Sequence, residues 1–544
     1  MVISELTSMM PIACGQYYWV HKLAPSDYYK NFSSYVIGWL NSLAWAATVA
    51  IETLLAGTIV QGLIKLNYPT YDAKLWQGTL LTWAVIGVAV SINVFMPNFF
   101  PKLEIMILVL HVVGFVAIMV TLLSTAELGS TSSVWLTASN GGGWPTQGLS
   151  LCVDFLGNIA TFVGADASVH MAEEVADADL TIPWAICMGM IFDGITGFAM
   201  MITVLYCLGD ANSVLETPTR LPFIQIFYNS VESLWGATVM SVVVLILTWG
   251  CAAGITATAS RMIWSFARDN GMPFSRYLGK VTKNQKIPVV AILVTATFAA
   301  LLVLIYIGSN VAFDDVISLT ITGFYGSYFL PCAFLLYHRV KGHILPHGSQ
   351  LPRRLEQSAP VPLTRLSPDK GAEIQVVPDE EAEIQTARDK GAEIQAVPEE
   401  VDEIQAVPDE EDETQSAPDE EDGTWSAPDD EDETQATRDI DNGSPGPPFV
   451  WGPWCLPGIF GTINNAYACV YMIYVIFWSV WPPATPVAAD TMNYSIVVTG
   501  GVMILSGVWY VVRGHREFKG PIDERRVRSS NLRAESDDLE LPTT

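Results

Sequence analysis

Residues 149–175 read LSLCVDFLGNIATFVGADASVHMAEEV, and the run Phe162-Val163-Gly164-Ala165-Asp166-Ala167 in their middle decides how this chain folds. The stretch is apolar over about the twenty residues that a helix needs to cross a bilayer. Gly164 and Asp166 interrupt it at depth. A helix that breaks inside a membrane frees backbone groups that lipid cannot satisfy. Such a break survives only where it is buried in protein or lines a cavity. The combination points to a carrier with its site near the membrane midplane.

Nine further stretches of similar character surround this one. In chain order the ten are Ser34–Val60, Leu80–Met96, Leu103–Leu123, Leu149–His170, Ile182–Leu208, Gly236–Phe266, Ile287–Ile307, Val316–Tyr337, Ile459–Val480 and Ser495–Val512. The expected fold is therefore an all-α polytopic membrane protein of about ten spans. Basic residues orient it. Lys102, the group Arg268, Arg276, Lys280, Lys283 and Lys286, and the tail residues Arg513, Arg516 and Lys519 fall on one side, read as the cytoplasm. The opposite loops Asn67–Gln77 and Ala126–Gly148 are poor in Lys and Arg.

The formal charge of -28 belongs mostly to one segment. Asp369 to Arg438 holds 26 acidic and 4 basic residues in seven ten-residue units such as DKGAEIQVVP and DEEAEIQTAR; Pro closes five of them. Recurrent Pro stops a long helix, and dense charge with few aromatics prevents a core. The segment is expected to be a disordered cytoplasmic insertion, either a repeat tolerated in solvent or a docking element of unknown partner. Its acidity argues against nucleic acid. The eight cysteines show no metal-ligand or disulfide spacing,. The N-terminus shows no basic region followed by a clean apolar signal segment.

No enzyme motif is present: no phosphate-binding glycine loop, HExxH or GxSxG. The candidates are ionisable residues at membrane depth, namely Glu52, His111, Asp154, Asp166 and Asp193,. Asp166 can bind a cationic group, carry a proton, or cap a second half-helix. His170 with Glu173 and Glu174 lacks a fourth metal partner nearby, so no metal site and no cofactor are expected.

Three motifs carry a resemblance. SELTSMMPIACGQYYWVHKLAP (residues 4–25) resembles the end of the second helix and the first cytoplasmic loop of amino acid/polyamine/choline permeases. FVGADASVHMAEEV (162–175) resembles their broken sixth helix. SRMIWSFARDNGMPFSRYLGKV (260–281) is similar to the close of their eighth. The combination is most like the fungal amino acid, choline and GABA branch of the amino acid-polyamine-organocation superfamily. The resemblance implies an inverted-repeat five-plus-five fold of the LeuT type and alternating access. It also implies secondary transport of a small amine or amino acid, with a coupling proton, across the plasma membrane.

By that resemblance Thr161, Phe162, Gly164, Asp166, Phe324 and Tyr325 contact substrate. Thr256, Thr258, Ser260 and Asp193 line an ion or substrate pathway, with back-bonding to the helix as the ordinary alternative for the hydroxyls. Gln16, Tyr17, Glu173, Glu174, Arg261, Arg268 and Asp269 form a cytoplasmic gate or signature. Gly323-Phe324-Tyr325-Gly326 is either an aromatic gate or a close-packing run.

The expected organisation is 1–33, the end of the second family helix and its loop; 34–337, the membrane body; 338–458, the acidic insertion; 459–512, two last helices; and 513–544, a cytoplasmic tail. Relative to the family's twelve spans, the first helix and most of the second are missing from the sequence in hand. Cys14 replaces a usual Gly, and Ala178-Asp179-Leu180 replaces a usual basic residue. The expectation for the chain read from Met1 is thus loss of half the site and no transport on its own. The competing reading is a non-transporting relative or transporter-like sensor.

Overall fold

The computed structural model describes residues 1–282, 287–308, 310–349, 449–488 and 492–522, with side chains from 315 onward in the helix that opens at 310. The chain divides into two compact units, Met1–Leu363 with Pro447–Thr544, and Thr364–Gly446. The second unit, with its predicted acidic repeats, lies outside the described residues.

Helices account for most of the described residues of the first unit. They are α1 (Val2–Met9), α2 (Gln16–Leu23), α3 (Asp27–Asn67), α4 (Leu75–Phe95), α5 (Phe100–Thr125), α6 (Gln147–Ala160) and α7 (Ala178–Tyr206). After them come α8 (Leu234–Arg268), α9 (Val289–Gly308), α10 (Asn310–Val340), α11 (Gly458–Ser479) and α12 (Ser495–Trp509), with short helical turns between. Among the described residues nine are long and apolar enough to cross a membrane. The chain is an integral membrane protein with an all-α body.

Nine of the ten apolar stretches each follow a single helix, overrunning its ends by at most three residues, and Leu149–His170 does not. Thr146 starts α6 by accepting the Leu149 N–H on its hydroxyl,. The helix then stops at Ala160, and turns run to a 3-10 segment at Val169–Glu174. Gly164 sits at φ +86°, a left-handed conformation that glycine adopts at little cost. The fourteen residues of α6 reach about 21 Å at 1.5 Å per residue, short of a ~30 Å hydrocarbon core.

The longest helix organises the rest. With 41 residues, α3 is about 60 Å long, and it packs along α8, α10 and α4. Small residues let the backbones approach. A Cβ added to Gly323 of α10 would lie 2.9 Å from Ala44, and one added to Gly38 of α3 would lie 2.4 Å from the Phe266 ring of α8. One large apolar core joins α1, α2, α3, α10 and the interrupted segment. A two-residue parallel pairing, Ile344–Leu345 with Phe449–Val450, brings together the chain on either side of residues 350–448.

Candidate functional site

The interrupted segment carries Asp166 into the middle of the bundle, where it is fully buried. Four separate pieces of chain meet its carboxylate. From α2, Gln16 Nε2 donates to Oδ2 at 2.5 Å. From the midpoint of α3, Trp45 Nε1 donates to Oδ2 at 3.3 Å. From α10, the Tyr328 hydroxyl donates to Oδ1. From the segment itself, His170 Nε2 stands 3.1 Å from Oδ2.

A second ring of contacts holds these groups in place. Asn41 Nδ2 donates to Gln16 Oε1 at 2.8 Å, and His170 Nδ1 lies 2.8 Å from the carbonyl oxygen of Ala13. The Trp45 ring meets Phe324 edge-on at 4.9 Å and His170 at 5.8 Å. All of these side chains are buried. A buried carboxylate is expensive unless it is fully hydrogen-bonded. Here side chains from four pieces of chain meet that cost.

A second polar cluster sits where α8 ends. Asp269 Oδ2 accepts from the Tyr17 hydroxyl at 2.7 Å and from the Cys14 thiol at 3.6 Å, and Oδ1 accepts from the backbone N–H of Ile522 at 3.1 Å. Burial pushes the Asp269 carboxyl up to about 6, against the pull of the Tyr17 and Ile522 hydrogen bonds,. Burial and the neighbouring Asp269 push the Cys14 thiol up to about 12. Alongside, Arg261 forks onto Glu174 at 2.5 and 3.2 Å, and Arg268 onto Glu173 at 3.3 Å twice.

The sequence-predicted residues distribute unevenly over this geometry. Gln16, Asp166 and, through Trp45, Phe324 come together. Tyr17 and Asp269 meet in the second cluster, beside the pairs of Glu173, Glu174, Arg261 and Arg268. Thr161 and Phe162 are exposed at the end of α6, where the Thr161 hydroxyl bonds the Asn158 carbonyl. Tyr325 packs at 5.9 Å from Tyr328 and Tyr471. The hydroxyls of Thr256, Thr258 and Ser260 bond carbonyls of their own helix, at Ala252, Gly254 and Ala257.

Asp193 and Asp154 are exposed on their helices, away from the Asp166 cluster. Gly323 and Gly326 face Ala44 and Leu40 of α3, so this run closes the α3–α10 contact and seats Phe324. No group of metal-ligating side chains occurs among the described residues.

Asn41, Trp45 and Tyr328 escaped the sequence reading, and His170 entered it only as a weak metal ligand. Each belongs to an i,i+4 pair of the kind that shares a helix face: Asn41 with Trp45, Phe324 with Tyr328, Asp166 with His170.

The family profile for amino acid permeases matches residues 1–362. A Macrophomina phaseolina protein named for amino acid/polyamine transport is 32% identical over 341 residues, covering 62% of this chain and 75% of its own. The choline transporter of Saccharomyces cerevisiae is 30% identical over 352 residues, 64% of this chain and 61% of its own. The GABA-specific permease of the same yeast is 28% identical over 347 residues, 61% of this chain and 59% of its own. The matched region thus spans three quarters of the first relative and about three fifths of the other two. With its motifs, its helices and the profile match in agreement, the chain belongs to the amino acid permease family, a family of transporters rather than enzymes.

Proposed function

We propose that this protein is a secondary active transporter that moves an amino acid or a small amine of the choline or GABA kind across the plasma membrane. It works by alternating access, coupled to a proton, with its C-terminus and acidic insertion in the cytoplasm. The observation that carries this reading is the interruption between α6 and α7, sealed by side chains from α2, α3 and α10. A segment held by such a cluster can be packed or released as a unit, and that is what a gate requires.

The substrate end of the proposal rests on α6. Its C-terminus carries the negative end of the helix dipole. That end suits the ammonium group shared by amino acids, GABA and choline-like amines. The exposed Phe162 ring stands beside it for a cation–π contact. Asp166, enclosed by protein donors, acts in the gate.

The test is uptake of labelled choline, GABA and an amino acid mixture in cells lacking their own permeases, with the protein produced from its natural full reading frame. Saturable uptake of one class, abolished by a protonophore, is expected. Normal surface expression with no saturable uptake overturns the reading.

A further inference from the structure

We propose that Asp166 and His170 form a buried dyad that holds one exchangeable proton, and that this proton is the one coupled to transport. The second half of the statement rests on the transport reading above; the first half stands on geometry alone.

The Ala13 carbonyl oxygen can only accept a hydrogen bond. The 2.8 Å contact from His170 Nδ1 therefore places a hydrogen on Nδ1,. A neutral imidazole then has a lone pair at Nε2, aimed at Asp166 Oδ2 only 3.1 Å away. Two lone pairs do not attract at that distance. The Asn41 amide is a more distant donor to Nε2, at 3.4 Å, so the shorter contact points to a hydrogen between Nε2 and Oδ2, as imidazolium with carboxylate or as imidazole with carboxylic acid. In either form the pair is neutral and holds one shared proton between Nε2 and Oδ2,.

The surroundings support that role. The remaining groups that face the pair are Gln16 of α2, Asn41 and Trp45 of α3, and Tyr328 of α10; of these only Tyr328 carries an ionisable group. Glu173 and Glu174, one turn on, are turned to Arg268 and Arg261. Both dyad side chains are closed to solvent. Release of the proton to water would leave a net charge of minus one in that enclosure, with the Nε2 lone pair pressed on the carboxylate. The buried charge favours entry of water to the enclosure. The lone-pair contact favours release of His170 from Asp166 and from Ala13, against the donors Gln16, Trp45 and Tyr328 that still hold the carboxylate. The loaded dyad holds the gate packed, and the empty one opens it.

Two measurements on the full-length protein test this. In protein carrying 15N-histidine, one of the seven histidines should keep its Nδ1 hydrogen throughout a pH titration while Nε2 gains or loses its own. In pH-difference infrared spectra, the imidazolium or protonated-carboxyl band that titrates should vanish in both His170→Gln and Asp166→Asn. Glutamine at 170 retains an N–H donor for Asp166 without titrating. In uptake assays, His170→Gln should lower accumulation against a gradient by about tenfold relative to exchange and flatten its pH profile.

A histidine resonance without that pattern, or an infrared band that persists in both variants, overturns the dyad. A titrating dyad with unchanged concentrative uptake and pH profile in His170→Gln overturns the coupling. A titrating dyad in a protein that takes up none of the tested substrates overturns the transport reading and leaves the dyad standing.

Discussion

Tyr328 and Asp269 show what single polar groups contribute in this protein. The Tyr328 hydroxyl is one of the groups that meet the Asp166 carboxylate, and hydrogen bonds to charged groups contribute about 1.5–3 kcal/mol. Tyr328→Phe keeps the ring against Phe324 and Tyr325 but removes that donor. It should destabilise the protein by about that amount, read as a lower melting temperature in detergent; an unchanged melting temperature would detach Tyr328 from the cluster. Asp269 sets a pH dependence. Its carboxyl is raised to about 6 in the folded protein, so between its ordinary value and 6 the folded state holds the proton more tightly than the unfolded one. Its contribution to stability is full at low pH and is lost as pH rises through about 6, a span of about 3 kcal/mol at ~1.4 kcal/mol per unit. Asp269→Asn should flatten melting temperature against pH in that window, and an unaltered slope there would contradict the assignment.

Among the elements, the loop before α2 and the 3-10 segment after the break are built against each other. Gly15 sits at φ +56°, and a Cβ there would stand 3.1 Å from His170 Cε1. Gly15→Ala should therefore cost about 1–3 kcal/mol in backbone strain and shift the His170 resonance, while Gly157→Ala, where an added Cβ meets nothing within 4 Å, should do neither. The same segment is clamped to α8 by two arginine forks. The glutamates are partly exposed, at 52% for Glu174 and 34% for Glu173, so each pair should show a coupling of only about 0.2–1 kcal/mol in a double-mutant cycle. The pairs fix the position of the segment more than they stabilise the fold. Legibility at this scale followed the type of signal. The break at Gly164 was readable because glycine and a carboxylate in an apolar run violate the composition of a spanning helix. The docking of α2 onto that break was not readable, because Gln16 and Asp166 are 150 residues apart and neither has a local pattern naming the other.

At the scale of the molecule, the prediction is that the insertion can be removed without loss of the membrane body. Its flanks are brought together by the pairing of Ile344–Leu345 with Phe449–Val450, so the chain enters and leaves the insertion at one place on the body. Deleting residues 369–438 shortens the loop between those strands to about a third, which changes its closure entropy by only about 1 kcal/mol. The shortened protein should insert, melt and take up substrate as the intact one does; a collapse of surface expression on deletion would show that the repeats contribute to the body after all.

What the sequence by itself determined was the list of elements. Apolar runs of membrane length, basic residues at their ends and one interrupted run specify a helical membrane protein, because lipid accepts no other use of such segments. Composition likewise separated the acidic repeats from the body. Only the tertiary structure decided what surrounds Asp166. As a residue in a run it could have faced a substrate, capped a helix or carried a proton. Packing settled its surroundings: α3 brings Asn41 and Trp45, α10 brings Tyr328, and the turn after Gly164 brings His170 back upon it. Hydrogen-bond partners are chosen by distance in space, and sequence spacing fixes that distance only within a helix turn.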